Sequence, residues 1–303
     1  MAALSAFLNN CTICSSNNVS IINTYKHYWR VCNICGNAFS KVKECYPLSF
    51  LPFAQLKRNK AILQDPANSY KFASSTEEQI KQVEAQAMLL SNEWVNLDKI
   101  DLTGKKFIEI SGGNGHFLNV LKKFNTELFH TELNQNDVDY VKNKFGINSK
   151  QFDFNKDELQ NIFPGKFDII LLKGALEFCL DVKNFLCGIK GNTNLGTIII
   201  VTTAMPTLGN FLITQFEDYN QQVLYQKETL IEIFKTNGYL LLKAREFGDT
   251  RNHYPLVYYR NKWSRLAMLR YMIPAMYKLS PDKRFLFHSL DVRGVSMAFQ
   301  RDK

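Results

Sequence analysis

The sequence predicts an α/β protein: a doubly wound, mostly parallel sheet with helices on both faces, preceded by a small cysteine-bearing module. Three observations lead there. From Lys106 onward, short apolar segments alternate with amphipathic ones, the pattern of parallel strands covered by crossover helices. A glycine-rich turn, Ser111-Gly-Gly-Asn-Gly115, follows the first of these apolar segments. Two Cys-x-x-Cys pairs lie within the first 35 residues.

The pairs are Cys11-Thr-Ile-Cys14 and Cys32-Asn-Ile-Cys35, separated by 17 residues. That spacing suits a zinc site in which two knuckles supply a tetrahedral shell of four thiolates. Four protein ligands leave no open position, so the metal is expected to be structural. Gly36 follows the second pair, where a knuckle turns through left-handed backbone. Between the pairs, Val19–Tyr25 and His27–Val31 read as two short strands of a ribbon. Cys45, Cys179 and Cys187 have no spacing partner and are expected to be buried small apolar residues.

Residues 46–70 contain Pro47, Pro52 and Pro66 and read as a connector without long elements. A capping box, Ser75-x-x-Glu78, then opens a helix whose Ile80, Val83, Ala87, Leu90 and Trp94 share one face. Strands are expected at Phe107–Ile110, Leu128–Glu132, Phe167–Leu172, Thr197–Thr202 and Tyr239–Lys243, with a last one at Val292–Gln300. Helices are expected at Phe117–Phe124, at Val138–Phe145, before Ile189, and from Tyr225 to Asn237, where Gly238 closes the last. This divides the chain into a module at 1–46, a connector and helix at 47–100, and a main domain at 101–303. An insertion at about 250–290 interrupts the main domain. Within it, Trp263, Leu266, Leu269, Met272, Ile273 and Met276 lie at helical spacing. Such a helix suits a substrate-side lid or an interfacial helix, and Pro274 would kink it.

The composition is that of a folded, soluble chain, with 46% apolar and 21% charged residues. No apolar run is long enough to span a membrane, and the opening segment lacks the basic region of a secretory signal. The expected location is therefore the cytoplasm. The formal charge of +9 is concentrated late: from Lys243 onward there are 13 Lys and Arg against 5 Asp and Glu. Such an excess suits nucleic acid, a membrane surface, a phosphorylated substrate or simply a solvated face.

The glycine turn does not match G-x-G-x-x-G, which disfavours a nicotinamide dinucleotide. Glu132 closes the second strand of the domain, where a carboxylate can accept the hydroxyls of a ribose. Asp153 precedes the next helix, where an acid can receive an adenine amino group. In Phe107–Leu118, Thr131–Leu133, Phe167–Glu177, Gly196–Val201 and Tyr225–Gly238, the chain resembles the class I S-adenosylmethionine-dependent methyltransferases. The resemblance covers about residues 75–245 and implies a seven-stranded Rossmann-like sheet. It implies cofactor contacts from Glu109, Gly113 and Gly115 in the turn, from Glu132 on the ribose and from Asp153 beside adenine. Lys173 and Gly174 would line the same cofactor. The chain departs from the family pattern at Ser111, in place of the first glycine, and at Leu176-Glu177-Phe178, which lacks a histidine.

The resemblance implies transfer of a methyl group to an oxygen, carbon or nitrogen of a small biosynthetic molecule, such as a sugar or nucleotide-linked sugar. His253, after the late strand, is the candidate base, and Arg251 and Arg260 are candidates to meet an acidic group on the substrate. The alternatives are a ribosomal or transfer RNA methyltransferase and a non-catalytic S-adenosylmethionine-binding adapter. Tyr25, Tyr28 and Trp29, beside Lys26 and Arg30, suit either base stacking or strand packing.

Overall fold

The computed structural model describes residues 11, 13–23, 27–42, 77–179, 181–206, 223–247 and 294–302. In chain order it begins with β1 (Val19–Asn23), β2 (His27–Cys32), β3 (Ala38–Val42) and α1 (Glu77–Asn96). Then come β4 (Lys106–Ile110), α2 (His116–Val120), β5 (Glu127–Glu132), α3 (Gln135–Phe145), β6 (Asn148–Gln151) and α4 (Leu159–Ile162). They are followed by β7 (Phe167–Lys173), α5 (Val182–Ile189), β8 (Thr193–Ala204) and β9 (Val223–Leu224). The last elements are α6 (Lys227–Thr236), β10 (Tyr239–Phe247) and β11 (Gly294–Arg301).

These elements fall into two compact units. One is built on a four-stranded antiparallel sheet, ordered β1-β2-β3-β9. Its strands bury Trp29, Val31, Ala38, Phe39, Val223 and Leu224. This sheet is thus larger than the two expected strands. β3 follows the second cysteine pair, and β9 arrives from far along the chain to pair Leu224 with Ala38, 186 residues earlier. Trp29 has no exposed surface, so it packs the ribbon and is not available for base stacking.

The other unit holds a seven-stranded sheet of order β10-β11-β8-β7-β4-β5-β6. β4 pairs in parallel with both β5 and β7, so the strand order reverses at β4. β6 and β8 extend the parallel run on either side. The interior strands are nearly all apolar because both their faces are covered, as in Phe167–Leu172 with only Asp168 exposed. α1 buries Ala87, Leu90 and Trp94, and the Trp94 ring lies 6.4 Å from Phe107 and 6.1 Å from Phe117. This is the apolar face expected of that helix, although Ser75 lies outside the described residues.

Several boundaries shift. The helix expected at Phe117–Phe124 is a five-residue α2 followed by a 3-10 turn over Leu121–Phe124. α3 begins at Gln135, three residues early, because Asn134 accepts the N–H of Asn136 as its cap. β8 is twelve residues long. Cys179 is buried as expected, but Cys187 is exposed, because α5 turns Val182, Phe185, Leu186 and Ile189 inward and leaves Cys187 on its outer face. Among the described residues no helix is long and apolar enough to cross a membrane.

Candidate functional site

The strand order reverses at β4, and in open α/β sheets ligands usually bind beyond the carboxyl ends of the strands at such a point, here those of β4 and β7. The glycine turn leaves β4 at that place. Ser111 stands at φ 56°, so this position keeps the left-handed backbone that a glycine takes without strain. Gly115, at φ 70°, opens α2, and a Cβ there would meet the Val141 side chain at 2.6 Å. Gly112 is constrained by space: an added Cβ would lie 2.6 Å from the His130 ring and 2.9 Å from Glu109 Oε2.

Glu132, the last residue of β5, is tied to this turn. Its Oε2 accepts the Gly113 N–H at 2.9 Å and its Oε1 the Leu133 N–H at 2.7 Å. Burial pushes its carboxyl up, while the N–H groups of Leu133, Gly113 and Asn134 pull it down and favour the anion. Glu109, on β4, has 1% of its surface exposed, and among the described residues neither of its carboxylate oxygens has a hydrogen-bond partner. Burial raises it to about 7, against the pull of Lys173 and with the push of Glu132. Lys173 ends β7 with its ammonium 5.0 Å from the centre of the Phe117 ring, and Gly174 donates its N–H to the Thr202 carbonyl at 2.8 Å.

Glu109, Gly113, Gly115, Glu132, Lys173 and Gly174 therefore belong to the carboxyl ends of three adjacent strands and the turns that leave them. Asp153 follows the edge strand β6, and its oxygens are engaged locally: Oδ1 accepts the Asn155 N–H at 3.1 Å and Oδ2 pairs with Lys156 at 2.7 Å. His116 sits behind the turn, between Glu84 at 3.3 Å and Tyr140 at 3.2 Å, and so joins α1 to α3. His253, Arg251, Arg260 and the insertion at about 250–290 lie outside the described residues. Sequence reasoning missed His130, a buried residue of β5 whose register partner on β4 is Glu109. A histidine inside an apolar strand was the available signal.

The arrangement suits a ligand that combines vicinal hydroxyls, for the end of β5, with a cationic group, for the unpartnered Glu109 carboxylate. The crowding at Gly112 and Gly115 reserves these two positions of the turn for residues without side chains.

The second candidate site is the thiolate cluster. The sulfurs of Cys11, Cys14, Cys32 and Cys35 all lie within 4.8 Å of one another. Cys11 and Cys35 are 3.6 Å apart and Cys14 and Cys32 3.5 Å, close to the roughly 3.8 Å edge of a tetrahedron with 2.3 Å metal–sulfur bonds. The two knuckles repeat one geometry. Ser15 and Gly36 donate N–H groups to the carbonyls of Cys11 and Cys32, and the amides of Cys11 and Cys32 donate to Ser16 and Asn37, all at 2.8–2.9 Å. The Asn37 side chain donates to Cys35 Sγ at 3.0 Å and accepts the Gln226 N–H at 2.9 Å, while Thr229 donates to the Cys35 carbonyl at 3.2 Å. Arg30 is buried above Phe39, 5.2 Å from the ring centre, and the charges of Cys11 and Cys32 support its guanidinium against burial. A buried cation beside the four sulfurs would offset part of the charge of a four-thiolate metal site.

No family model and no curated protein matches the sequence. Solved structures share its fold. A chain from the complex between the Haloferax volcanii Trm112 methyltransferase activator and a methyltransferase superposes with TM-score 0.51 at 12% identity, covering 75% of this chain and 95% of that one. Residues 961–1257 of StiE O-MT superpose with TM-score 0.51 at 16% identity, covering 76% of this chain and 79% of that one. The fold is thus the Rossmann-like fold of methyltransferases.

Proposed function

We propose that the protein is an S-adenosylmethionine-dependent methyltransferase acting on a small biosynthetic molecule, with a structural zinc ion in its N-terminal ribbon. The observation that carries this reading is the Glu132 carboxylate, fixed at the end of β5 by the Gly113 and Leu133 amides beside a turn with no room for a side chain at Gly112 or Gly115. Bound S-adenosylmethionine would supply an activated methyl group on a sulfonium, so the protein's tasks are alignment and exclusion of water.

In this reading Glu132 accepts the ribose hydroxyls through the lone pairs its two amide bonds leave free. Gly113 and Gly115 let the backbone approach the methionine end, with Glu109 beneath it. Lys173 carries a positive charge suited to the methionine carboxylate, Gly174 lines the same wall, and Asp153 borders the adenine. His253 is the proposed base for an oxygen or carbon acceptor. The thiolates of Cys11, Cys14, Cys32 and Cys35 close the coordination shell of zinc, which leaves that metal no catalytic position.

Two substrate classes compete. The late charge excess suits RNA. The burial of Trp29 argues for the small molecule, because it removes the ribbon's central aromatic from base contact. Incubation with methyl-labelled S-adenosylmethionine and either cell-extract metabolites or bulk RNA separates the classes. Label in the low-molecular-weight fraction supports the proposal. Label in RNA, together with RNA binding that weakens steeply with salt, overturns it in favour of the RNA reading.

A further inference from the structure

The two knuckles of the thiolate cluster share one backbone geometry but sit in different surroundings. Ser15 and Ser16 hold the places in the first knuckle that Gly36 and Asn37 hold in the second. Cys14 and Ser15 are exposed, and the Ser16 hydroxyl accepts the nearby Asn18 N–H at 3.0 Å. Asn37 instead has no exposed surface. Its Nδ2 donates to Cys35 Sγ at 3.0 Å, and its Oδ1 accepts the Gln226 N–H at 2.9 Å. A backbone N–H can only donate, so the amide oxygen faces Gln226 and the amide nitrogen faces the sulfur. Gln226 opens α6, its carbonyl accepting the Leu230 N–H at 3.0 Å. Two further contacts join the same partners. Thr229, in the first turn of α6, donates to the Cys35 carbonyl at 3.2 Å. A Cβ on Gly36 would lie 2.7 Å from Gln226 Cγ, so the second knuckle rests directly on the start of the helix. β9, just before Gln226, pairs with β3, just after Asn37. All of these residues belong to one compact unit.

We propose that Asn37 couples the metal site to Val223–Thr229, so that a metal held by the ribbon clasps β9 and the first turn of α6, with Gln226 lying 189 residues beyond Asn37. The inference rests on the zinc reading and is independent of the cofactor reading. A bound metal would fix the place of the Cys35 sulfur and keep it a charged acceptor, which strengthens the bond from the buried amide. The amide so held presents its oxygen to the Gln226 N–H, a donor that the helix itself leaves unsatisfied. β9 is two residues long, so its pairing with β3 depends on such supports. Linkage makes the effect reciprocal: what loosens the start of α6 also loosens the metal.

The test is hydrogen exchange of the full-length protein, zinc-loaded and after removal of zinc by a chelator. In wild type, Val223–Leu230 should exchange about tenfold faster or more once zinc is removed, along with β1–β3, while β4, β5 and β7 keep their protection. Zinc-loaded Asn37→Ala should already show the faster exchange at Val223–Leu230, and should surrender zinc to the chelator about tenfold faster. Asn37→Asp keeps an oxygen for Gln226 and loses the donor to sulfur, so Val223–Leu230 should exchange at one rate with and without zinc. Three results overturn this inference alone: unchanged protection of Val223–Leu230 on removal of bound zinc, equal loss across β4, β5 and β7, or an Asn37→Asp variant that responds to zinc as wild type does. A wild-type protein that takes up no zinc overturns it together with the zinc reading.

Discussion

The Glu132 carboxylate accepts the Gly113 amide at 2.9 Å, across 19 residues of chain. This bond sets the height of the glycine turn above the sheet and orients the acid at the end of β5. Positioning of the turn and of the Glu132 carboxylate are therefore one structural event. A change at either residue should disturb both.

Gly112 should be intolerant of alanine because of space. Gly112→Ala places a methyl group against the rigid His130 ring, and overpacking of this kind costs about 1–3 kcal/mol. Adding His130→Ala should restore most of the loss, because the ring is the nearest obstacle. Denaturant unfolding of the two single variants and the double variant measures this coupling. Strict additivity contradicts it.

Ser111 should stabilise the protein when replaced by glycine. Its left-handed backbone costs a side-chain-bearing residue about 1–2 kcal/mol, part of which the greater freedom of glycine in the unfolded chain cancels. A net gain of about 0.5–1 kcal/mol is expected for Ser111→Gly, read from the urea midpoint.

The pH dependence of stability should carry two opposed contributions. Glu109 has its folded pKa raised from 4.5 to about 7, so its favourable contribution is complete below about pH 4.5 and is lost as the pH rises to 7. His130 is lowered from 6.5 to about 4, so its contribution is complete above pH 6.5 and is lost as the pH falls through 4. Between about pH 4.5 and 6.5 the two slopes oppose each other. Glu109→Gln removes one of them, so the stability of this variant relative to wild type should grow on the order of 3 kcal/mol between pH 4.5 and 7.5. A constant difference across that range contradicts the assignment.

The thiolate cluster should hold about one zinc per chain, and Cys32→Ser should lose it, as measured by metal analysis. Arg30→Leu should weaken retention against a chelator without abolishing binding, since it removes charge compensation and leaves the ligands in place. Full zinc content in Cys32→Ser contradicts a four-thiolate site.

Legibility in the sequence followed the apolar pattern. β4, β5 and β7 are strands buried on both faces and read directly as apolar runs, and the cysteine spacing announced the cluster that the ribbon closes. β6, with the sequence Asn-Ser-Lys-Gln, is a polar edge strand whose pairing with β5 supplies the order its side chains do not advertise. β9 is two residues long and exists as a strand only because β3 lies beside it. Among the candidate site residues, the glycines and Glu132 were visible from type and position. The place of His130 depends on the β4–β5 register, which sets it opposite Glu109 and is a property of the folded sheet. The departure at Ser111 is accommodated by its backbone, since the serine takes the conformation a glycine would.

The central claim is that the turn after β4 and the acid ending β5 bind S-adenosylmethionine. Calorimetric titration of S-adenosylhomocysteine into wild type and Glu132→Ala at neutral pH tests it most directly. Two charge-assisted hydrogen bonds, each worth about 1.5–3 kcal/mol, predict binding by wild type and at least a tenfold loss in a folded variant. Equal affinities, or no binding to wild type, would contradict the account.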